Sequence, residues 1–336
     1  MLYVNYKQKY ETQVIDLWNR CCTFDPIDVW KFRKQALFDD NFDPELAWVA
    51  LNENDQVVGF IFGTKRIFPY LERGLEPDRG WINVLFVDPE YQNHGIGQQL
   101  YDRVEKQLIE KGAKNITLGA YSPGYFFAGL DPDHYPESIK FFEKNGYKHL
   151  EMHYSMGKNL HGYQIPKEIL KKKKEAEEEG YTFSTFDYKD SLELLQFLHD
   201  ELGAGWKRNA LISMREGTAP DYQLVVRNPN GKICGWCMRA IDGNPMRFGP
   251  IGIAKSERDK GLGSILLDLQ CYEMCRKGVY RMYFITTEEN GRRYYERNGL
   301  SVILLAAGRK GHFESGEKGQ NKSERKGQSS SYPLNR

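Results

Sequence analysis

The feature that most constrains this chain is a strand, turn, Gly-x-Gly and helix pattern that occurs twice. Apolar Trp81–Val87 runs into Asp88-Pro89-Glu90-Tyr91-Gln92-Asn93-His94-Gly95-Ile96-Gly97-Gln98. Met246–Ile253 runs into Ala254-Lys255-Ser256-Glu257-Arg258-Asp259-Lys260-Gly261-Leu262-Gly263-Ser264. Each continues as a long amphipathic segment. Glycine has no Cβ to hold a ligand off the main chain, and the first-turn N–H groups of a helix lack intrahelical partners and carry partial positive charge. Each copy therefore reads as an anion site suited to a diphosphate. One such pair of glycines is common in turns, but two pairs in the same order of elements mark an internal duplication.

The spacing predicts, for the first copy, strand Leu2–Tyr6, helices Tyr10–Arg20 and Val29–Phe38, and a hairpin of Leu46–Leu51 with Gln56–Gly63. After the strand Trp81–Val87 come helix Gly97–Glu110, strand Asn115–Gly119, an irregular loop over Tyr121–His134, helix Pro136–Lys144, and a closing hairpin of Lys148–Glu151 with Met152–Met156. The second copy repeats the order: strand Tyr181–Phe186, helices Ser191–Leu202 and Lys207–Arg215, and a hairpin of Gln223–Arg227 with Lys232–Arg239. It then continues through strand Met246–Ile253, helix Leu262–Arg276, strand Tyr280–Ile285, helix Asn290–Arg297 and strand Leu300–Leu305. The expected division is a domain over 1–160, a charged helical linker over 161–180, a second domain over 181–307, and a polar Gly- and Ser-rich tail over 308–336 that is expected to be disordered.

The copies differ in length around one region. Gly59 to Gly95 spans 36 positions against 26 from Gly235 to Gly261, and Gly97 to Gly146 spans 49 against 36 from Gly263 to Gly299. The additions in the first copy flank one expected cleft. After Leu305 few apolar residues remain, so the last strand of the second copy is in doubt, and its acyl site is either incomplete or closed by the other copy.

Charge excludes a general attraction to polyanions: 47 Lys and Arg balance 46 Asp and Glu. Lys171–Lys174 beside Glu177–Glu179 reads as a solvated helix face rather than a nucleic-acid patch. No apolar leader and no uncharged run long enough to span a bilayer is visible, so a cytoplasmic protein is expected, with neither nucleic acid nor membrane as partner. The 6 cysteines are too few for a disulfide framework in a chain of this length. Cys234 and Cys237 fall in a strand, where residues three apart face opposite sides, so no metal site is expected there.

Gln92-Asn93-His94-Gly95-Ile96-Gly97 and Arg258-Asp259-Lys260-Gly261-Leu262-Gly263 resemble the (Gln/Arg)-x-x-Gly-x-(Gly/Ala) coenzyme A loop of the GCN5-related N-acetyltransferase (GNAT) superfamily. Tyr295-Glu296-Arg297-Asn298-Gly299, echoed by Phe142-Glu143-Lys144-Asn145-Gly146, resembles the superfamily's last conserved turn, and the duplicated layout is similar to that of mycothiol synthase. The resemblance implies an α/β (α+β) fold made of two tandem GNAT folds, each a mixed, splayed central sheet flanked by helices. It implies acetyl-CoA (coenzyme A) held along Leu85, Phe86 and Val87 and by Gln92, Asn93, His94, Gly95, Ile96, Gly97 and Gln98. In the second copy the same resemblance designates Ile251, Gly252 and Ile253 with Arg258, Asp259, Lys260, Gly261, Leu262, Gly263 and Ser264. A backbone N–H is then expected to polarise the thioester carbonyl, with no metal required.

An amine must lose a proton before it attacks, and the departing thiolate must gain one. The resemblance gives the second task to Tyr295, for which the bland alternative is an aromatic packing its helix on the sheet. The first copy has Phe142 there, which has no proton to give, though Tyr135 or Tyr125 could substitute. No base is evident: the two cofactor strands offer only Asn83 and Arg247, while Asp131, Asp133 and His134 read either as cleft residues or as a turn cluster. The implied activity is acetyl transfer from acetyl-CoA to a primary amine of a small molecule, in preference to a peptide, by direct attack in a ternary complex, with one copy free to be structural. Two alternatives stand beside it: a non-catalytic acyl-CoA sensor, and a generic nucleotide-phosphate binder, which the lack of Gly-x-x-x-x-Gly-Lys-Ser/Thr and Gly-x-Gly-x-x-Gly at the loops disfavours. A small-molecule amine partner and a monomer or homodimer are expected.

Overall fold

In the computed structural model of the chain, the described residues are 1–312 with the exception of Tyr125. The first copy opens with strand β1 (Leu2–Asn5) and helices α1 (Glu11–Cys21) and α2 (Val29–Phe32), followed by strands β2 (Ala47–Leu51), β3 (Val57–Thr64) and β4 (Arg79–Val87). Helix α3 (Ile96–Glu110), strand β5 (Asn115–Leu118), helix α4 (Pro136–Lys144) and strand β6 (Lys148–Asn159) complete it, and helix α5 (Lys167–Glu178) leads onward. The second copy has strand β7 (Thr182–Thr185), helices α6 (Ser191–Phe197), α7 (Ala204–Arg215) and α8 (Ala219–Tyr222), and strands β8 (Gln223–Arg227), β9 (Ile233–Arg239) and β10 (Phe248–Ile253). Helix α9 (Leu262–Arg276), strand β11 (Arg281–Phe284), helix α10 (Glu289–Arg297) and strand β12 (Ser301–His312) follow.

Expected helices break where an i→i+5 turn intervenes. Past α2, Arg33–Leu37 forms such a turn, with Phe38 N bonded to Arg33 O at 2.8 Å, and Leu198–Leu202 does the same past α6. The linker helix is solvated on one face only, because Ile169 and Ala176 of α5 are buried in the second core.

The strand order joins the two copies. One sheet reads β1-β2-β3-β4-β5-β12-β6-β11 and the other β10-β9-β8-β7. Lys148–Asn159 does not fold back as a hairpin, since no Gly, Pro or Asn turn lies between Glu151 and Met152 to reverse it; it is a single strand of 12 residues. The second copy does not lack its last strand: β12 continues past Leu305 to His312, so Gly308–His312 belong to the sheet rather than to a disordered tail, and Phe313–Arg336 lie outside the described residues. Antiparallel β12 enters the first copy between β5 and β6, pairing Ile116 with Gly311 and Met156 with Val302. Reciprocally, β6 extends into the second copy, where Met156–Asn159 pair antiparallel with Arg281–Phe284 of β11.

Each copy thus receives its last strand from the other, and packing follows the pairing. Met156 and Leu160 are buried with Leu267, Cys271, Met274 and Met282 of the second copy, each fully buried large apolar side chain contributing roughly 1.5–3 kcal/mol. The segment read as polar stays in the sheet because its charge is matched: Arg309 is 5% exposed and its Nη1 lies 2.8 Å from Glu143 Oε1. Beneath α3, Leu100, Val104 and Leu108 pack on Ile82 and Ile116, while α1 lays Val14, Leu17 and Trp18 against Phe60 and Phe86 on the opposite face.

At the entry point of β12, Leu130 N donates to Ala307 O at 2.9 Å and Ala307 N donates to Leu130 O at 2.6 Å. A Cβ on Gly129 would lie 2.5 Å from Ala307 O and 2.8 Å from its carbonyl carbon. Backbone cannot swing aside as a side chain can. Gly129→Ala is therefore expected to lower stability by about 1–3 kcal/mol in denaturant titration, whereas Gly97→Ala, whose Cβ would find its nearest neighbour at 3.6 Å, leaves it unlowered.

Candidate active site

The two duplicated loops fold alike. Asn93 and Asp259 have φ of 63° and 64°, and Gly95 and Gly261 have φ of 78° and 77° and serve as N-caps of α3 and α9. A left-handed N-cap of this kind is natural to glycine. In each loop the residue that opens the motif reaches back to the preceding strand: Gln92 Nε2 donates to Val87 O at 3.0 Å, and Arg258 Nε donates to Ile253 O at 3.4 Å. Neither helix has a capping side chain, so the first-turn amides of both face outward as anion donors.

What lies beside the two loops differs. In the first copy β4 runs parallel to β5 only from Arg79 to Ile82, and Gly119 N takes Ile82 O at 2.9 Å as the last link. There the chain turns away, with Ala120 N bonded to Phe127 O at 2.7 Å. Asn83–Val87 therefore continue with no β5 partner, and the wedge between the strands opens into a cavity of about 700 Å³. Leu85, Phe86, Val87, Gln92, Asn93, Gly95, Ile96, Gly97 and Gln98 all line it, as the sequence suggests, together with Phe141 and Phe142 of α4. His94 does not; its Nδ1 lies 2.7 Å from Gln92 O at the exposed side of the loop. Asn83 is buried, with Nδ2 donating to Thr64 Oγ1 at 2.7 Å and Oδ1 without a partner among the described residues. An open strand edge beside uncapped helix amides fits a ligand with an amide-containing arm and a diphosphate, the composition of coenzyme A.

In the second copy Arg247, just before β10, makes an isolated bridge to Tyr283 of β11, and among the described residues β10 and β11 share no ladder. The rings of α10 pack into the neighbouring core: Tyr295 sits on Phe284 with centroids 4.4 Å apart, and Tyr294 lies 4.9 Å from Tyr295. The Tyr294 hydroxyl stands 3.2 Å from where a Cβ on Gly263 would be. At the loop itself Lys260 Nζ is tied to Glu257 Oε2 at 2.7 Å and to Tyr181 Oη at 2.8 Å, and the Lys172 side chain of α5 approaches Gly261. Ile251 and Ile253 pack into the second core, and Leu202 and Trp206 cover Gly252.

Titratable groups gather at the first cavity, brought there by the extra loop. Asp131 is 5% exposed; its Oδ1 accepts from Asp133 N at 2.8 Å and His134 N at 3.1 Å, while its Oδ2 lies 2.6 Å from His134 Nδ1. Both readings of this cluster hold: Asp131 ties the turn and also orients an imidazole that borders the cavity. The Phe24 ring lies 3.7 Å from the His134 ring. Tyr135 Oη donates to Asp25 Oδ2 at 3.0 Å and accepts from Phe24 N at 3.3 Å. Burial, then the neighbouring Asp25 carboxylate, raise the Tyr135 phenol above its ordinary value, and burial raises Asp25 against the pull of that hydrogen bond. Tyr125 lies outside the described residues.

Cys21 and Asp25 escaped the sequence reading. Cys21 Sγ reaches Val87 O at 3.5 Å and borders the cavity, its thiol pushed up to about 11 by burial and then by Asp88. The only signal for them was their place in the break after α1. Among the described residues no group of three or more His, Cys, Asp or Glu is arranged to hold a metal, and no helix is long and apolar enough to cross a membrane.

Comparison with known proteins agrees with this geometry. The profile of the Acetyltransferase (GNAT) family matches residues 12–147. An acetyltransferase of Photorhabdus laumondii subsp. laumondii is 33% identical over 114 residues, which cover 34% of this chain and 70% of that protein. Among solved structures, the GCN5-related glucosamine N-acetyltransferase region of a fungal multi-domain GH3 β-N-acetylglucosaminidase aligns with a TM-score of 0.77 at 20% identity, over 92% of this chain and 38% of that chain. A GCN5-related N-acetyltransferase from Sphaerobacter thermophilus aligns with a TM-score of 0.70 at 15% identity, over 93% of this chain and 95% of that one. A tandem GNAT protein from the clavulanic acid biosynthesis pathway aligns with a TM-score of 0.62 at 13% identity, over 93% and 98%. At these identities the structures speak to the fold, which they share across both copies.

Because both N-caps hold the same left-handed conformation with no obstructing side chain, Gly95→Ala and Gly261→Ala are expected to cost similar stability, about 1–2 kcal/mol each. Denaturant titration of the two variants checks this, and a large difference between them would show that the loops are not equivalent.

Proposed function

The chain belongs to the GNAT family of acetyltransferases, and from that premise we propose that it transfers an acetyl group from acetyl-CoA to a primary amine of a small molecule, with the first copy holding the donor. The observation that carries this reading is that the unpaired edge of β4, Asn83–Val87, and the uncapped first turn of α3 open into one cavity. Bound there, acetyl-CoA supplies an acetyl group activated as a thioester. The amides of Ile96, Gly97 and Gln98 would take the diphosphate, and the main chain of Asn83–Val87 would take the amide-containing arm.

His134 is the base of this reading. With Nδ1 held by Asp131, the other ring nitrogen is left to receive the proton that an ammonium must lose before the amine attacks. Tyr135 is the acid. Its phenol stays protonated through the neutral range for the reasons given above, and it borders the same cavity, so it can return a proton to the departing thiolate. Tyr295, for all its match to the family turn, enters no step of this scheme; with the donor in the first copy, the second copy acts as a structural partner.

Calorimetry of acetyl-CoA with wild type, Gly97→Glu and Gly263→Glu tests the placement. One site per chain is expected in wild type and in Gly263→Glu, with affinity falling at least roughly tenfold in Gly97→Glu, as a carboxylate set against a diphosphate requires. A loss confined to Gly263→Glu would move the donor to the second copy. Tyr135→Phe is expected to lower kcat roughly 10²-fold while leaving acetyl-CoA affinity intact, and an unchanged kcat in steady-state assays rejects Tyr135 as the acid.

A further inference from the structure

A second cavity, of about 740 Å³, lies against the first, and both copies wall it. Phe127, Gly129 and Asp131 border both spaces, so the two meet at the extra loop that also carries His134. The first copy contributes both signs: the carboxylates of Asp131 at the boundary, of Asp25, which is bonded to the cavity-lining Tyr135, and of Asp28, with Lys31 beside Asp25 and Asp28 and Lys34 further along. The second copy contributes the guanidinium groups of Arg247 and Arg281, which border the second space but not the first.

Those two arginines are placed by the strand exchange. Alternation along a strand puts Arg281 and Tyr283 on one face of β11, with Ile285 following, while Met282 and Phe284 turn into the core. Pairing of Arg281 with Asn159 and of Tyr283 with Gly157 fixes that face toward the first copy. Arg247 forms the bridge to Tyr283 and carries its guanidinium 5.7 Å from the Tyr283 ring centroid, and Asn244 Nδ2 holds the Tyr283 hydroxyl at 3.0 Å. Among the described residues no carboxylate pairs with Arg281. A guanidinium offers paired N–H donors matched to a planar or tetrahedral oxyanion, whereas a neutral ligand leaves that charge with water alone.

We infer that this second cavity is the acceptor site, and that it selects a primary amine bearing an anionic group, a carboxylate or a phosphate, with the amine toward Asp131 and Asp25 and the anion on Arg281. Catalysis at the site rests on the acetyl-transfer reading above; the selection does not. The second copy is then a wall of the active site, and the charge it brings sets the substrate class.

The test compares three amines of similar length, β-alanine, O-phosphoethanolamine and propylamine, by CoA release and by calorimetric titration into CoA-loaded protein, with wild type and Arg281→Gln. In wild type at least one of the two anionic amines is expected to exceed propylamine by roughly tenfold or more in kcat/KM and in affinity, the scale of a charge-assisted hydrogen-bonded pair. Which of the two leads identifies the anion. In Arg281→Gln the ratio should collapse toward one, with thermal melting checking that the variant is folded. A wild-type ratio near one, or a ratio that survives Arg281→Gln, overturns the inference and leaves acetyl transfer standing. Selective binding of an anionic amine that depends on Arg281, with no CoA released from any amine, upholds the acceptor chemistry and sinks the acetyl-transfer reading.

Discussion

The structure depends on the antiparallel pairing of two long strands, Lys148–Asn159 and Ser301–His312, each of which ends in the sheet of the other copy. An unpaired row of main-chain N–H and C=O groups at a sheet edge is costly if buried and prone to wrong pairings if exposed. Here the edge of β5 is satisfied by Lys310–His312, and the edge of β11 by Met156–Asn159. Neither copy is complete alone in this arrangement. The same junction holds Arg281 and Tyr283 of β11 over the first copy and brings Ala307 against Leu130, so the pairing that closes the sheet also shapes the space beside the cofactor cleft.

A second constraint works at the level of single residues. Parallel pairing of β4 with β5 stops at Ile82 and Leu118, and the chain leaves the sheet plane immediately afterwards. The resulting wedge is apolar on the α1 side, where Trp18 meets Phe86 with centroids 5.5 Å apart, and polar on the loop side, where Asp131 and His134 sit. Burial, which seals the aromatic wall, is also what keeps the Tyr135 phenol and the Cys21 thiol protonated. One packing arrangement therefore supplies both the shape of the cleft and the protonation states within it.

The sequence made the loops legible because their chemistry is local. Gly95 and Gly261 sit where only glycine is at ease, and their neighbours Gln92 and Arg258 make the same reach back to the preceding strand, so motif and geometry coincide. The longer connections of the first copy were also legible as lengths; the one after Gly97 brings Phe127, Asp131 and His134 to the cleft, whereas the one before β4 lies away from it, with Glu72 paired to Lys207 of α7. The exchange of strands was not legible, because no periodicity records which partner a strand will find. β12 also disguised itself: Gly308, Arg309 and Lys310 read as a polar tail, while in the fold Arg309 is buried against Glu143. Asp131 and His134 could be read as cleft residues or as a turn cluster, and the structure uses the same carboxylate for both: one oxygen ties the turn amides and the other holds the imidazole that borders the cavity.

The pairing of Ile116 with Gly311 has a consequence for how the chain comes to be folded. During synthesis β5 emerges long before the strand that must lie against it, so the early half waits with one flank open while the whole later half is made. Contacts this distant along the chain close slowly. A nascent polypeptide of this design gains most from shielding by a chaperone during that interval, and two such molecules emerging side by side could trade terminal strands and become entangled as a dimer.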